Sequence, residues 1–121
     1  RLESHVSISG RVTIGRDNRF FPNVVIGGEP QDLSYRGADT QVIIGDGNTL
    51  RESVTVNRAS EKEDGVTALG DGNYLMACSH VAHDCKLGSG IVIANSTLLG
   101  GHVHVGDHAV LSGNIGVHQF A

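Results

Sequence analysis

The stretch HVAHDCKLGSG, residues 80–90, places His80, His83 and Asp84 close together in a chain otherwise rich in Val, Ile, Leu and Gly. A histidine beside a carboxylate can act as a general base, because the carboxylate fixes the imidazole tautomer. Histidines are also common zinc ligands, but zinc needs three or four donors converging at about 2 Å. Nucleophilic catalysis has no candidate, since no Ser or Cys lies in an activated motif. The elements that position these residues decide between the first two chemistries.

The composition is that of one aliphatic domain of 121 residues, with 4% aromatic residues, 17 Gly and a formal charge of −4. There is no Lys/Arg cluster, which argues against a nucleic-acid partner because phosphate binding needs a concentrated positive face. No apolar run reaches the length of a membrane span. Two cysteines, Cys78 and Cys85, lack CxxC spacing and indicate a reducing compartment.

An internal repeat of six residues predicts the fold. Neither an α-helix nor a single alternating strand has this period, whereas short strands joined by tight turns do. Three hexads make one 18-residue coil, so residues 1–121 are predicted to form a single all-β, parallel β-helix. The coil is left-handed in known hexapeptide-repeat folds. The apolar residues of the frame are Leu2, Ile8, Ile14, Phe20, Ile26, Ala38, Ile44, Leu50, Val56, Leu69, Leu75, Val81, Leu87, Ile93, Leu99, Val105, Leu111 and Val117.

Two segments interrupt the hexad frame. GGEPQDLSYRG, residues 27–37, replaces a hexad in phase, and RASEKEDGVTA, residues 58–68, shifts the frame by one residue. Both contain turn and charged residues, so we expect two loops that leave the coil. Insertions of this kind often carry function in solenoids.

The frame also predicts a column of polar residues along one edge of the helix. Asn57, His83, His102 and His118 fall near the same corner of four successive coils, at a spacing of about 4.8 Å. Gly101, directly before His102, offers a backbone N–H for an oxyanion. General-base catalysis fits this column best, because it requires only one histidine, a partner that fixes its tautomer and one oxyanion donor. We expect the remaining turn histidines to be ordinary exposed residues: His5, His104 and His108.

Several motifs resemble the UDP-N-acetylglucosamine O-acyltransferases of lipid A biosynthesis along essentially the whole chain. They are IGGEPQDLSYRG, IGDGNTLRESVTVNR, HVAHDCKLG, ANSTLLGGHV and GVHQF. The combination of HxAHDC with GGHV and VHQF is distinctive, whereas hexads alone indicate only a β-helix protein. Asp84 argues against the related N-acyltransferases, which typically have Asn after the catalytic His.

The resemblance implies a cytoplasmic homotrimer that binds UDP-N-acetylglucosamine and a 3-hydroxyacyl chain on acyl carrier protein, with no metal or diffusible cofactor. It implies that His83 is the general base, that Asp84 orients it, and that the Gly101 N–H holds the oxyanion. Residues implied to bind substrate are Asp32, Asn57, His80, His102, His118 and Gln119. The family has further coils and a C-terminal helical region, so we expect this chain to be an internal piece.

Two departures from the family pattern affect the sugar site. Asn57 stands where well-known members have His, and Ser34 stands where they often have Lys. These changes leave open whether the acceptor is a hydroxyl or an amine. Leu98 and Val110 are predicted to point outward and to supply subunit contacts.

Two other functions remain open from the residues. A zinc enzyme of the γ-carbonic anhydrase type would use His83, His102 and a neighbouring subunit's histidine. A trimeric scaffold without chemistry would use none of them.

Overall fold

The computed structural model describes residues 2, 5–31, 37, 39–60, 64–111 and 116–117, which form sixteen short strands. The strands are β1 (Ser7–Ile8), β2 (Arg11–Ile14), β3 (Arg19–Phe20), β4 (Val25–Gly28), β5 (Gln41–Ile44), β6 (Thr49–Leu50), β7 (Thr55–Asn57), β8 (Val66–Leu69), β9 (Tyr74–Leu75), β10 (His80–Val81), β11 (Lys86–Leu87), β12 (Val92–Ile93), β13 (Leu98–Leu99), β14 (His104–Val105), β15 (Val110–Leu111) and β16 (Gly116–Val117).

Every third strand joins the same parallel sheet, so the chain winds around three flat faces. Sheet 1 has the order β1-β4-β7-β10-β13-β16, sheet 2 the order β14-β11-β8-β5-β2, and sheet 3 the order β15-β12-β9-β6-β3. The predicted left-handed parallel β-helix is confirmed. No helix in the described part of the chain is long and apolar enough to cross a membrane.

Strand register confirms the 18-residue coil and shows where it lengthens. His80 pairs with Leu98, 18 residues later, whereas Ile14 pairs with Ile44, 30 residues later. The extra residues fall between β4 and β5, and a second long connection joins β7 to β8. Ala38, which the frame includes, lies outside the described residues. The length of this longer coil is therefore given by the strand pairing in the structure and not by the hexad frame.

The core is a column of aliphatic side chains from the first and fifth hexad positions. Leu50, Leu75, Ile93 and Val54 are fully or almost fully buried. Burial of one such side chain contributes about 1.5–3 kcal/mol relative to exposure. Leu2 and Ile8 are exceptions, 57% and 39% exposed, because they belong to the first coil at the edge of the stack.

The corners turn through residues with a left-handed backbone at the fourth hexad position. Asn23, Ser53, Cys78 and Ser96 have φ between 58° and 67°. In each case the next amide donates to the carbonyl three residues earlier, as in Val54 N to Arg51 O at 3.3 Å. Positive φ at the third residue of such a turn defines type II. The hexad therefore encodes strand and corner together.

Three buried asparagines tie four successive coils together at the corner between sheets 2 and 3. Asn18 Oδ1 accepts from the Asn48 amide, Asn48 Oδ1 from the Asn73 amide, and Asn73 Oδ1 from the Ile91 amide, each at 2.8 Å. Asn73 Nδ2 also donates to Gly88 O at 3.0 Å. This ladder satisfies backbone groups that the turn leaves unpaired, which buried polar atoms require.

Close backbone stacking requires glycine at the second hexad position of the same corner. A Cβ on Gly45 would lie 2.6 Å from Gly70 O and 2.1 Å from Asp71 Oδ1. Both distances are too short for a carbon, so a side chain there forces adjacent coils apart. By contrast, a Cβ on Gly28 meets only Asn57 Oδ1, at 3.5 Å.

We predict that Gly45→Ala lowers the free energy of unfolding of the full-length protein by about 1–3 kcal/mol, the usual cost of overpacking. Gly28→Ala is the matched control and is expected to change it by less than about 1 kcal/mol, because the new methyl makes an ordinary contact. Urea unfolding measures both variants. Equal losses would show that steric contact between coils does not explain the Gly45 position.

Candidate active site

The polar column lies where the chain leaves sheet 1. Val81 pairs with Leu99 across β10 and β13, so residues that follow these strands stack in adjacent coils. His83 and His102 contact each other there, with ring centroids 5.2 Å apart and an interplanar angle of 85°. The predicted shared corner is confirmed for this pair. The two histidines are offset by one residue, however, because the regular 18-residue register stacks Gly101 on His83 and His102 on Asp84.

His83 and Asp84 form a buried dyad. His83 Nδ1 lies 3.0 Å from Asp84 Oδ2, and the two side chains are 5% and 0% exposed. Asp84 has φ 64°, the same turn conformation as the other corners. Asp and His tolerate this conformation better than most residues. The turn therefore bends the carboxylate back towards the ring of its neighbour and leaves His83 Nε2 as the free end of the dyad.

Ser60 anchors the Asp84 carboxylate from the connection between β7 and β8. Its backbone N–H and its hydroxyl both donate to Asp84 Oδ2, at 2.9 and 2.6 Å. Ser60 is 1% exposed. His102 Nε2 approaches the same oxygen at 3.6 Å. Sequence reasoning missed Ser60, because a serine in a charged loop outside the hexad frame carries no signal of its partner.

Gly101 provides the flat surface on which the His83 ring lies. A Cβ on Gly101 would come within 2.4 Å of His83 Cε1 and 2.6 Å of Nε2. Any other residue would therefore displace the imidazole. No hydrogen bond joins the Gly101 N–H to a described residue. This glycine thus admits the ring and leaves a backbone donor beside it.

His80 lies on the outer face of sheet 1 rather than in the turn. Its Nδ1 shares a hydrogen bond with Thr55 Oγ1 at 2.6 Å. Burial lowers the pKa of His80 below its ordinary value of 6.5, and the charge of nearby His83 lowers it further. His80 is therefore held in the neutral form at neutral pH.

Asn57 ends β7 at the same corner, one coil before His83. It is 7% exposed, and its Nδ2 has no hydrogen-bond partner among the described residues. His102 is also buried, with a side chain 1% exposed that faces Asp84. Ser34 lies outside the described residues. So do the other residues implied to bind substrate, which are Asp32, His118 and Gln119.

Of the remaining histidines, His5 and His108 lie in turns, whereas His104 begins β14. The expected exposure is confirmed for His5, His104 and His108. Cys78 is a free, exposed turn residue, and Cys85 is free and buried. Burial raises the pKa of the Cys85 thiol to about 11, and the thiol donates to Gly100 O at 3.1 Å. Cys85 is therefore a core residue without thiolate character at neutral pH.

His83, Asp84 and His102 form one potential metal-ligand set within the described residues. One ligand atom from each lies within 4.8 Å of the others, and all three residues are buried. The Asp84 oxygen nearest both histidines, however, already accepts the two Ser60 donors and His83 Nδ1. This arrangement saturates that oxygen with N–H and O–H donors.

The repeat, the three parallel sheets and the corner dyad define a hexapeptide-repeat β-helix protein. The chain is 49% identical over 113 residues to acyl-[acyl-carrier-protein]–UDP-N-acetylglucosamine O-acyltransferase of Verminephrobacter eiseniae, covering 93% of this chain and 43% of that protein. The Synechocystis protein of the same name is 52% identical over 115 residues, covering 95% of this chain and 41% of that protein. No family model matches.

Solved structures agree with these relatives. A UDP-N-acetylglucosamine acyltransferase superposes with a TM-score of 0.97 at 40% identity, covering 98% of this chain and 46% of that chain. The Francisella novicida enzyme gives 0.86 at 34% identity, covering 99% and 57%. The chain thus belongs, as a segment, to the UDP-N-acetylglucosamine O-acyltransferase family. It spans less than half the length of the curated relatives compared above.

We predict that the NMR titration midpoint of His80 lies below 6.5 in the native full-length protein and returns to about 6.5 in urea. Because the unfolded chain binds this proton more readily, His80 reduces the free energy of unfolding as the pH falls from about 6.5 towards the native pKa. His80→Gln removes this proton-binding group, so the free energy of unfolding of the variant falls less on acidification than that of the unchanged protein. The same pH dependence in both proteins would contradict the assignment.

Proposed function

We propose that the full-length protein transfers a 3-hydroxyacyl chain from acyl carrier protein to the 3-hydroxyl of UDP-N-acetylglucosamine, the first step of lipid A biosynthesis. The observation that carries the proposal is the His83–Asp84 dyad against Gly101 at one corner of the coil. The names of the relatives supply the substrates. No diffusible cofactor or metal is needed for this chemistry.

In the proposed mechanism, His83 Nε2 removes the proton of the sugar hydroxyl as its oxygen attacks the thioester carbonyl. Asp84 keeps the His83 Nδ1 proton in place and stabilises the imidazolium that forms. The tetrahedral oxyanion accepts a hydrogen bond from the Gly101 N–H. When the oxyanion collapses, the C–S bond breaks and the imidazolium returns its proton to the leaving thiolate. The ester and the free carrier thiol are the products.

The burial of His83 is compatible with this role. A general base needs only one ring nitrogen within hydrogen-bond reach of the substrate. The 5% of the side chain that remains exposed is a small target, so the acceptor hydroxyl must approach along one direction. Exclusion of water from the rest of the ring strengthens its bond to Asp84.

The binding residues divide by their position. We assign sugar contacts to Asn57, whose buried Nδ2 has no hydrogen-bond partner in the described part of the chain, and to His80 on the outer face of sheet 1. The assignments of Asp32, His118 and Gln119 depend on family motifs alone. The His102 side chain faces Asp84 and is only 1% exposed. We therefore assign it mainly to holding the dyad in place and only secondarily to contact with the substrate.

The proposed active protein is a cytoplasmic homotrimer. One corner offers only half a cleft, and a long acyl chain needs apolar walls on both sides. Leu98 and Val110 are 52% and 70% exposed on the outer faces of sheets 1 and 3, where a neighbouring subunit would cover them. Two free cysteines are consistent with a reducing compartment.

A zinc hexapeptide enzyme is the second candidate, because three ligand atoms of His83, Asp84 and His102 lie within 4.8 Å. The Ser60 hydrogen bonds favour the dyad instead, since zinc at Asp84 Oδ2 would have to replace donors already in place. A scaffold without chemistry is the third candidate. It gives no reason for a buried carboxylate, whose desolvation is costly unless paired.

We predict that His83→Ala in the full-length protein reduces acyl transfer at least 10³-fold, consistent with loss of the base plus its oriented dyad. Mass spectrometry of products from UDP-N-acetylglucosamine and its 3-amino analogue identifies the acceptor. His104→Ala, which changes an exposed histidine of β14, is the control and is expected to retain activity. Near-normal transfer by His83→Ala, or stoichiometric zinc bound through His83, would contradict the proposal.

A further inference from the structure

The dyad depends on a residue that lies outside the repeat. Ser60 is in the connection between β7 and β8, which the hexad frame does not need, yet both of its donors end on Asp84 Oδ2. We propose that Ser60 is a positioning residue for the acyl transfer. Its two hydrogen bonds fix the Asp84 carboxylate in the orientation in which Oδ2 also accepts from His83 Nδ1. The inference rests on the proposed function.

The first step of the argument is geometric. A carboxylate on a single Cβ can rotate, and rotation would turn Oδ2 away from His83. The Ser60 hydroxyl at 2.6 Å and amide at 2.9 Å restrain Oδ2 from one side, and His83 Nδ1 at 3.0 Å meets it from another. The backbone is held as well, because the Asp84 amide donates to Thr67 Oγ1 at 2.9 Å. The side chain and the backbone of Asp84 are thus both restrained by residues of one connection and the strand that follows it.

The second step concerns charge. Asp84 is completely buried, where an unpaired carboxylate would be strongly disfavoured. Hydrogen bonds to a charged acceptor are shorter and stronger than neutral ones, and the Ser60 hydroxyl bond is of this short kind. The Ser60 hydrogen bonds therefore offset part of the desolvation of the Asp84 carboxylate beside a base that becomes positive during the reaction.

The third step is that the connection is attached to the dyad coil at more than one point. Lys86, two residues after Asp84, donates to Asp64 Oδ1 at 2.8 Å, and this contact lowers the pKa of Asp64. Lys86 also donates to Val66 O. The connection is thus attached to the dyad coil through Asp84 on one side and through Lys86 on the other.

The test compares Ser60→Ala with Ser79→Ala in the full-length protein. Both serines are 1% exposed, but within the residues that the structure describes Ser79 Oγ has no hydrogen-bond partner and does not bond to the dyad. We expect Ser60→Ala to lower kcat about ten- to hundred-fold, the loss of one hydrogen bond to a charged group, with little change in KM. Ser79→Ala is expected to keep both constants. Ser60→Thr retains the hydroxyl and is expected to restore most of kcat.

A double-mutant cycle with Asp84→Asn separates positioning from general destabilisation. If Ser60 acts through Asp84, Ser60→Ala adds nothing to the activity loss of Asp84→Asn, whereas a structural defect adds its full effect in both backgrounds. Additive losses, or normal kcat in Ser60→Ala, would overturn the inference. If His83→Ala abolishes transfer in the same assay while Ser60→Ala is normal, the proposed function stands and only the role of Ser60 fails.

Discussion

The backbone hydrogen bonds between stacked coils are the constraint on which this molecule depends. Parallel pairing at about 4.8 Å brings every residue of a regular coil directly beside its equivalent 18 residues away. A side chain at one hexad position therefore has a fixed neighbour, whatever its chemistry. Aliphatic residues at inward positions make a continuous core, and polar residues at corners make columns. The candidate site is one such column.

The structure contains two kinds of polar column, and hydrogen-bond satisfaction separates them. In the asparagine ladder each Oδ1 accepts from the backbone amide of the coil above, and Asn48 and Asn73 Nδ2 donate to glycine carbonyls. Every group faces a fixed backbone partner, so the ladder has no capacity left for a ligand. At the corner of the dyad, Asn57 Nδ2 and Asp84 Oδ1 have no hydrogen-bond partner in the part of the chain that the structure describes. Unused buried capacity is costly for stability and is expected where a substrate binds.

How much could be read from the sequence follows from what the repeat controls. The hexad predicts the fold, the inward positions and the shared corner of His83 and His102, because these depend only on position within a regular coil. The frame does not give the length of the coil between Ile14 and Ile44, since a non-repeating insertion has no register of its own. The frame also places Gly101 beside His83, because the two residues are one regular coil apart. It does not give how closely the His83 ring lies against that glycine, which depends on the side-chain conformation.

Ser60 was out of reach of sequence reasoning for a related physical reason. A repeat informs about contacts between equivalent positions, whereas the bonds from Ser60 to Asp84 join an insertion to the coil. The same geometry explains why the site forms where it does. At the corner of the asparagine ladder the regular coils satisfy one another, so those side chains have no hydrogen-bonding groups left to orient a catalytic base. The connection between β7 and β8 adds donors beside the coil without altering the pairing of β7 with β10. The rigid repeat thus fixes the base, and the irregular segment supplies what orients it.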